Sequence, residues 1–237
     1  MKTTLTGKKE VAEGTMLFSF AKPEGFEYMA GQSLDLILVN PPETDDEGNK
    51  RAFSITSDPS SPELKIATRM RDTAFKRVLR DMGEGTEIEV EGPFGSFTLH
   101  ENAARPAVFL AGGIGITPFH AMVHDATTRK LPNKIILFYS NRRPEDATFL
   151  EGLTRQASEN PNFTFVPTMT DMEKSKAEWS GATGYIDEAL VKKHVDLAAS
   201  PIFYLAGPAG MVAAMRKMLN DMGVSNDDIR TEEFSGY

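Results

Sequence analysis

Over the first hundred residues apolar and polar positions alternate in short runs: Thr15-Met-Leu-Phe-Ser-Phe20, Ser33-Leu-Asp-Leu-Ile-Leu-Val39, Leu64-Lys-Ile-Ala-Thr68 and Glu87-Ile-Glu-Val90, separated by Gly, Pro, Asn and Asp. A period of two broken by turn residues predicts antiparallel β structure. One helical pattern interrupts it. Across 74–82 the side chains of Phe75, Val78, Leu79 and Met82 share a face, with Asp72 or Thr73 as the candidate N-cap. The simplest architecture is an antiparallel Greek-key β-barrel with one capping helix.

From about Arg105 the rhythm changes. Apolar runs at 107–110, 134–139, 163–166 and 202–205 are joined by amphipathic segments, with helices predicted over 117–128, 145–158 and 208–222. Strand and helix in alternation imply a Rossmann-like α/β domain with a parallel sheet covered on both faces. The change of period sets a boundary between 103 and 104, giving a β-barrel domain over 1–103 and an α/β domain over 104–237. The stretch Asn40-Pro-Pro-Glu-Thr-Asp-Asp-Glu-Gly-Asn-Lys50 reads as an acidic, turn-rich loop.

Composition narrows the chemistry. The chain has no cysteine, which excludes disulfides, a cysteine-held iron–sulfur cluster, a thiolate zinc site and a cysteine nucleophile. Of four histidines only His120 and His124 stand at a helical i, i+4 spacing, and no carboxylate is arranged to complete a set of ligands, so no metal site is expected. A net charge of −8 argues against nucleic acid as a partner. The apolar runs are of strand length, well below the roughly 20 residues of a membrane span. The polar N-terminal segment lacks the apolar core of a secretory signal, and a cytoplasmic location is the expectation.

Three segments carry candidate chemistry. In Val108-Phe-Leu-Ala-Gly-Gly-Ile-Gly-Ile-Thr-Pro118 a buried strand ends in glycines at 112, 113 and 115 and runs into a helix. Such a turn lets the backbone approach a pyrophosphate, and the helix start offers free N–H groups and the positive end of its dipole. Pro118 suits the first helical turn. Ile202-Phe-Tyr-Leu-Ala-Gly-Pro-Ala-Gly-Met211 repeats the arrangement, and two such strand ends can line one crevice. In Lys50-Arg-Ala-Phe-Ser-Ile-Thr-Ser-Asp58, Arg51, Phe53 and Ile55 fall on one strand face and Ala52 and Ser54 on the other. A cation, a flat ring and a hydroxyl suit a flavin, although phenylalanine in a barrel strand is more often plain core.

Taken in series, Arg51-Ala-Phe-Ser54, Glu91-Gly-Pro-Phe-Gly-Ser-Phe97, Ala111-Gly-Gly-Ile-Gly-Ile-Thr-Pro118, Tyr204-Leu-Ala-Gly-Pro208 and Glu232-Glu-Phe234 resemble the ferredoxin-NADP reductase superfamily in its usual order, over nearly the whole chain and without an iron–sulfur domain. The resemblance implies a two-domain flavoprotein oxidoreductase that moves hydride from NADH or NADPH to FAD, with FMN the second choice. Arg51, Ala52, Phe53 and Ser54 would take the flavin, the arginine at its diphosphate, the ring on the isoalloxazine and the serine near N5. Phe53 stands where tyrosine is commoner. Thr68, Arg69, Thr73, Ala74 and Phe75 fall where the rest of the flavin binds, but the usual Gly-x-x-Ser is not recognisable there.

By the same resemblance Gly112, Gly113, Gly115, Thr117 and Pro118 form the dinucleotide loop, and Ala206, Gly207 and Pro208 match the Cys-Gly-Pro motif with alanine in place of the cysteine beside the nicotinamide. Glu232 and Phe234 match a C-terminal Glu-x-Phe near the flavin, which with Ser54 completes the catalytic set, while Tyr237 is an alternative shield for the ring. Asp171 after the third strand disfavours a 2′-phosphate and Arg142 and Arg143 favour one, a balance tilted towards NADH. Electrons would pass to a separate acceptor, a small redox protein such as a ferredoxin or flavodoxin, or an oxygenase component. The alternatives are a free-flavin or ferric reductase and a docking or regulatory subunit weakened by Ala206.

Overall fold

The computed structural model describes residues 1–234; Tyr237 lies outside the described residues. The first half contains β1 (Lys2–Ala12), β2 (Thr15–Ala21), β3 (Ser33–Leu38), β4 (Lys50–Ser54), β5 (Glu63–Arg69), helix α1 (Ala74–Asp81) and β6 (Glu87–Phe94). These strands make one antiparallel, barrel-like sheet in the order β4-β3-β6-β1-β2-β5. Its ends approach where the Thr56 N–H, just past β4, donates to the Lys65 carbonyl of β5 at 2.8 Å. Alternation along β2 and β3 turns Phe18, Phe20, Leu34, Leu36 and Leu38 inwards. Each such side chain contributes about 1.5–3 kcal/mol of burial. Helix α1 closes this core with Phe75 and Leu79.

Both cap candidates are resolved by geometry. Thr73 is the N-cap of α1, its Oγ1 accepting from the Lys76 N–H at 3.3 Å, whereas Asp72 pairs with Arg77. Strand β1 is absent from the sequence expectation because only Thr3 and Leu5 of its eleven residues are buried.

The second half runs β7 (Ala107–Gly112), α2 (Ile116–Thr128), β8 (Ile135–Asn141), α3 (Leu150–Glu159), β9 (Phe163–Met169), the short β10 (Ala182–Thr183), α4 (Glu188–His194), β11 (Ile202–Pro208), α5 (Ala209–Asp221) and β12 (Ile229–Phe234). All six strands are parallel, in the order β10-β9-β8-β7-β11-β12. One face packs Phe119, Met122 and Leu153 from α2 and α3, the other Val191, Val212 and Leu219 from α4 and α5. The chain reverses direction of travel at the β7–β11 pair, the position where open α/β sheets bind ligands.

The helix expected over 145–158 needs correction. Pro144–Asp146 form a single tight turn, Phe149 is left-handed at φ 64°, and the helix begins only at Leu150. The cause is distant: the Glu145 carboxylate accepts from the N–H groups of Lys176 and Ala177 at 2.7 and 3.1 Å and from the Ser175 hydroxyl at 2.9 Å. Helix α4, seven residues long, also escaped the pattern.

The halves meet along a seam. Phe97, beyond β6, lies against Phe119 and Tyr204 with both ring centroids at 5.6 Å. Arg230 Nη1 donates to the Thr98 carbonyl at 3.1 Å and to the Tyr204 hydroxyl at 3.0 Å. His120 Nδ1 donates to the Thr56 carbonyl at 2.9 Å, and burial pushes this imidazole down to about 4, so it is neutral.

Candidate functional site

The dinucleotide-type turn is built by close backbone packing. Strand β7 ends at Gly112, and Gly113–Gly115 form one 3-10 turn into α2, with Gly113 at φ 52°. A Cβ on Gly115 would stand 2.4 Å from the Ala206 carbonyl oxygen and 2.6 Å from the Gly207 nitrogen. Gly207, at φ 155°, in turn lies against the backbone of Gly112. The two glycine turns therefore form one surface at the C-terminal ends of β7 and β11. Thr117 and Pro118 are buried in the first turn of α2, where the Thr117 hydroxyl donates to the Ile114 carbonyl at 3.0 Å.

Register places the remaining C-terminal candidates beside this surface. Ala206 pairs with Ala111 on one side and Glu232 on the other, and Phe234 pairs with Pro208. Glu232 opens onto a groove of about 610 Å³ with Gly95, Ser96, Phe97, Arg230 and Thr231. Its Oε2 is buried without a hydrogen-bond partner, and desolvation pushes the carboxyl up to about 7.

The strand Lys50–Ser54 supplies a second cluster. Arg51 and Phe53 do share a face, and both lie against Phe75 of α1: the guanidinium carbon is 5.2 Å from the ring centre and the two rings are 6.0 Å apart. On the other face Ala52 is exposed while Ser54 is 4% exposed, and the Ser54 Oγ has no partner. Thr68 is buried in β5, and the Arg69 carbonyl accepts from Lys76 Nζ at 2.7 Å. Ala74 and Phe75 are buried at the start of α1 beside the Thr73 cap.

These clusters border one seam, since the end of β5 contacts the Gly113–Gly115 turn and the backbone just past Ser54 bonds to α2 through His120. Arg51 itself is held inside its own domain by Asp45 at 2.6 Å and Glu47 at 3.0 Å. The sequence marks the loop carrying these carboxylates as acidic and gives it no target; four acids within five residues, just ahead of a candidate flavin-binding arginine, are the signal it held. Met211, whose Sδ would lie 2.2 Å from a Cβ on Gly112, was likewise missed, as was the His100–Tyr204–Arg230 network.

Residues 109–217 match the family model of the oxidoreductase NAD-binding domain. The chain is 33% identical over 156 residues to the F component of the Na(+)-translocating NADH-quinone reductase of Pseudomonas aeruginosa, covering 64% of this chain and 38% of that protein. It is 29% identical over 206 residues to the same component of the Actinobacillus succinogenes enzyme, covering 81% and 50%. Together with the glycine turns, these matches identify an oxidoreductase NAD-binding domain in the second half of the chain. In motif order and fold the chain is similar to the ferredoxin-NADP reductase superfamily. It spans at most about half the length of these curated relatives.

Solved structures agree on the fold. The flavohem-like FAD/NAD binding domain of nitric oxide dioxygenase from Vibrio cholerae superposes with a TM-score of 0.84 at 19% identity, covering 98% of both chains. A ferredoxin NADP+ reductase from Neisseria gonorrhoeae with bound FAD and NADP gives 0.79 at 23% identity, again covering 98% of both. Among the described residues no helix is long and apolar enough to cross a membrane, and no group of three acidic or histidine side chains is set to hold a metal.

Proposed function

We propose that this chain is a flavoprotein oxidoreductase that takes hydride from a reduced nicotinamide dinucleotide onto a bound flavin, FAD by preference, and passes electrons to a separate acceptor. One observation carries the reading: a carboxylate oxygen beside the two interlocked glycine turns, Glu232 Oε2, and a hydroxyl at the end of β4, Ser54 Oγ, are buried with no protein group among the described residues to satisfy them. Buried polar atoms are nearly always paired, so orphans of this kind fit a polar ligand that completes them. Such a ligand, a flavin, supplies the two-electron to one-electron conversion when bound.

The chain's own residues do the positioning. Phe53, backed by the buried Phe75, offers an aromatic face, and Ser54 presents a hydroxyl that can donate to a ring nitrogen. The glycine turn and the start of α2 offer backbone N–H groups to a pyrophosphate. Glu232, poised near neutrality beside Ala206, can hold or release a proton next to the nicotinamide position. Without a cysteine at 206, orientation between the two turns supports the transfer.

NADH fits better than NADPH. Arg143, which the sequence offered for a 2′-phosphate, is forked onto Asp146 at 2.9 and 3.0 Å and reaches Glu13 at 3.0 Å, so its charge is already matched. A small redox protein is the proposed acceptor.

Anaerobic stopped-flow mixing of the flavin-loaded protein with NADH and with NADPH tests the assignment. Loss of the flavin's visible absorbance, faster with NADH, is expected. Persistence of the oxidised spectrum with both donors would overturn the proposal in favour of a docking or regulatory subunit.

A further inference from the structure

We propose that the acidic loop ahead of β4 is an internal competitor for the flavin-phosphate subsite, Asp45 and Glu47 occupying the guanidinium of Arg51 and thereby setting how tightly flavin is retained. The inference rests on the reading of β4 as a flavin-binding strand and adds to it a determinant of affinity.

Every nitrogen of Arg51 is engaged within its own neighbourhood. Nη2 donates to Asp45 Oδ1 at 2.6 Å, Nε faces Glu47 Oε2 at 3.0 Å, and Nη1 faces the carbonyls of Glu47, Gly48 and Lys50 at 2.9, 3.0 and 2.8 Å. Two carboxylates and three carbonyls surround this guanidinium, so a phosphate must compete with Asp45 and Glu47 for its charge. The Asp45 carboxylate also accepts from the Glu47 N–H at 3.1 Å, and the backbone of Ala74 at the start of α1 helps to hold it in its ionised form. A carboxylate lodged between an arginine and a helix start has the surroundings that a phosphate group seeks.

The subsite is cationic beneath this cover. The Lys76 ammonium is partly buried, and desolvation, joined by the positive charges of Arg71 and Arg51, holds it below the usual lysine range. Arg51 beside Asp45, in turn, holds that carboxyl below the ordinary value, so it stays ionised at neutral pH. The loop has a second anchor, Glu43, whose two oxygens meet Arg77 at 2.9 and 2.6 Å on the exposed side of α1. An incoming phosphate therefore meets Arg51 already matched by carboxylates of its own sign, while Lys76 carries no carboxylate partner among the described residues. The rival account, in which Asp45 orients Arg51 to receive the phosphate, predicts an effect of opposite sign.

The test strips flavin from the purified full chain and titrates it with FAD, FMN and riboflavin by fluorescence quenching. Wild type is compared with Asp45→Asn/Glu47→Gln and with Arg51→Ala. The double variant is expected to bind FAD and FMN tighter by on the order of tenfold, as a charged hydrogen bond returns to the phosphate, with riboflavin unchanged because it has no phosphate. Arg51→Ala is expected to weaken FAD and FMN and to spare riboflavin. Unchanged or weaker FAD binding by the double variant overturns the competitor role; each single carboxylate variant reads the same sign should the pair fail to fold. If none of the proteins binds any of the three flavins, the flavin reading falls, and the loop's role with it.

Discussion

The tightest structural constraint in the site is at Gly115, and replacing it with alanine tests how the two strand ends cooperate. The added Cβ would sit 2.4, 2.5 and 2.6 Å from Ala206 O, Ala206 C and Gly207 N, all of them backbone atoms that no rotamer change can move. Ordinary contact begins near 3.4 Å, so the turn or β11 must shift by at least about 1 Å. Strain of this kind costs about 1–3 kcal/mol. The shift separates the glycine turn from the strand end that carries Ala206, and a misplacement of about 1 Å can lower a rate on the order of a hundredfold. Gly115→Ala should therefore fold with a reduced melting temperature and retain its flavin, while its kcat/KM for NADH falls by on the order of ten- to a hundredfold. Flavin content, thermal unfolding and steady-state NADH oxidation with an artificial acceptor measure the three quantities separately. Wild-type kcat/KM in a protein of wild-type stability would refute the close coupling of the turns.

Two further outcomes follow from groups along the seam. Glu232 keeps its proton up to about pH 7 in the native state, whereas in the unfolded chain it titrates at its ordinary 4.5. Its stabilising share is therefore full below 4.5 and is lost as the pH rises through about 7. The change corresponds to at most about 3 kcal/mol, reduced by the water that reaches this partly exposed side chain. Glu232→Gln should flatten that part of the pH dependence, read from urea midpoints at about pH 5 and about pH 8 against wild type, and an unchanged profile would contradict the raised carboxyl. Tyr204→Phe removes the hydroxyl that accepts from the His100 N–H and from Arg230 Nη1, each at 3.0 Å, and that donates to His100 Nδ1 at 2.9 Å. The buried donors left unpaired should cost about 1–3 kcal/mol in chemical denaturation, and a loss below a few tenths would show that water replaces the hydroxyl.

Much of this arrangement is legible wherever pattern and chemistry are local. The alternation in β2 and β3, the apolar face of α1 and the strand–glycine–helix order at 107–118 each encode their own structure, and all appear at the expected positions. What is not legible depends on distant partners. Glu145 follows a proline and begins an acidic turn, the signature of a helix start, yet residues thirty positions onward capture its carboxylate and the helix opens five residues later. Arg51 reads as a free cation in a binding motif. Its ion pairs depend on how the 40–50 loop folds back, which no periodicity records.

The departure at Ala206 shows how register alters a conclusion drawn from a motif. In the linear motif alanine for cysteine is simply a lost thiol. In the sheet, Ala206 has the backbone of Gly115 pressed against its carbonyl and Glu232 as its partner across to β12. Ala206 is fully buried, whereas the carboxyl beside it is unpaired and pushed up to about 7, on a groove that continues past Gly95 and Ser96 of the other domain. On the proposed reading, the proton-bearing group beside the nicotinamide position is supplied by the neighbouring strand instead of by residue 206. A cysteine introduced at 206 should then crowd Glu232 more than it aids transfer. Leaving Glu232 Oε2 and Ser54 Oγ unpaired costs about 1–3 kcal/mol apiece, which favours a ligand that reaches either of them.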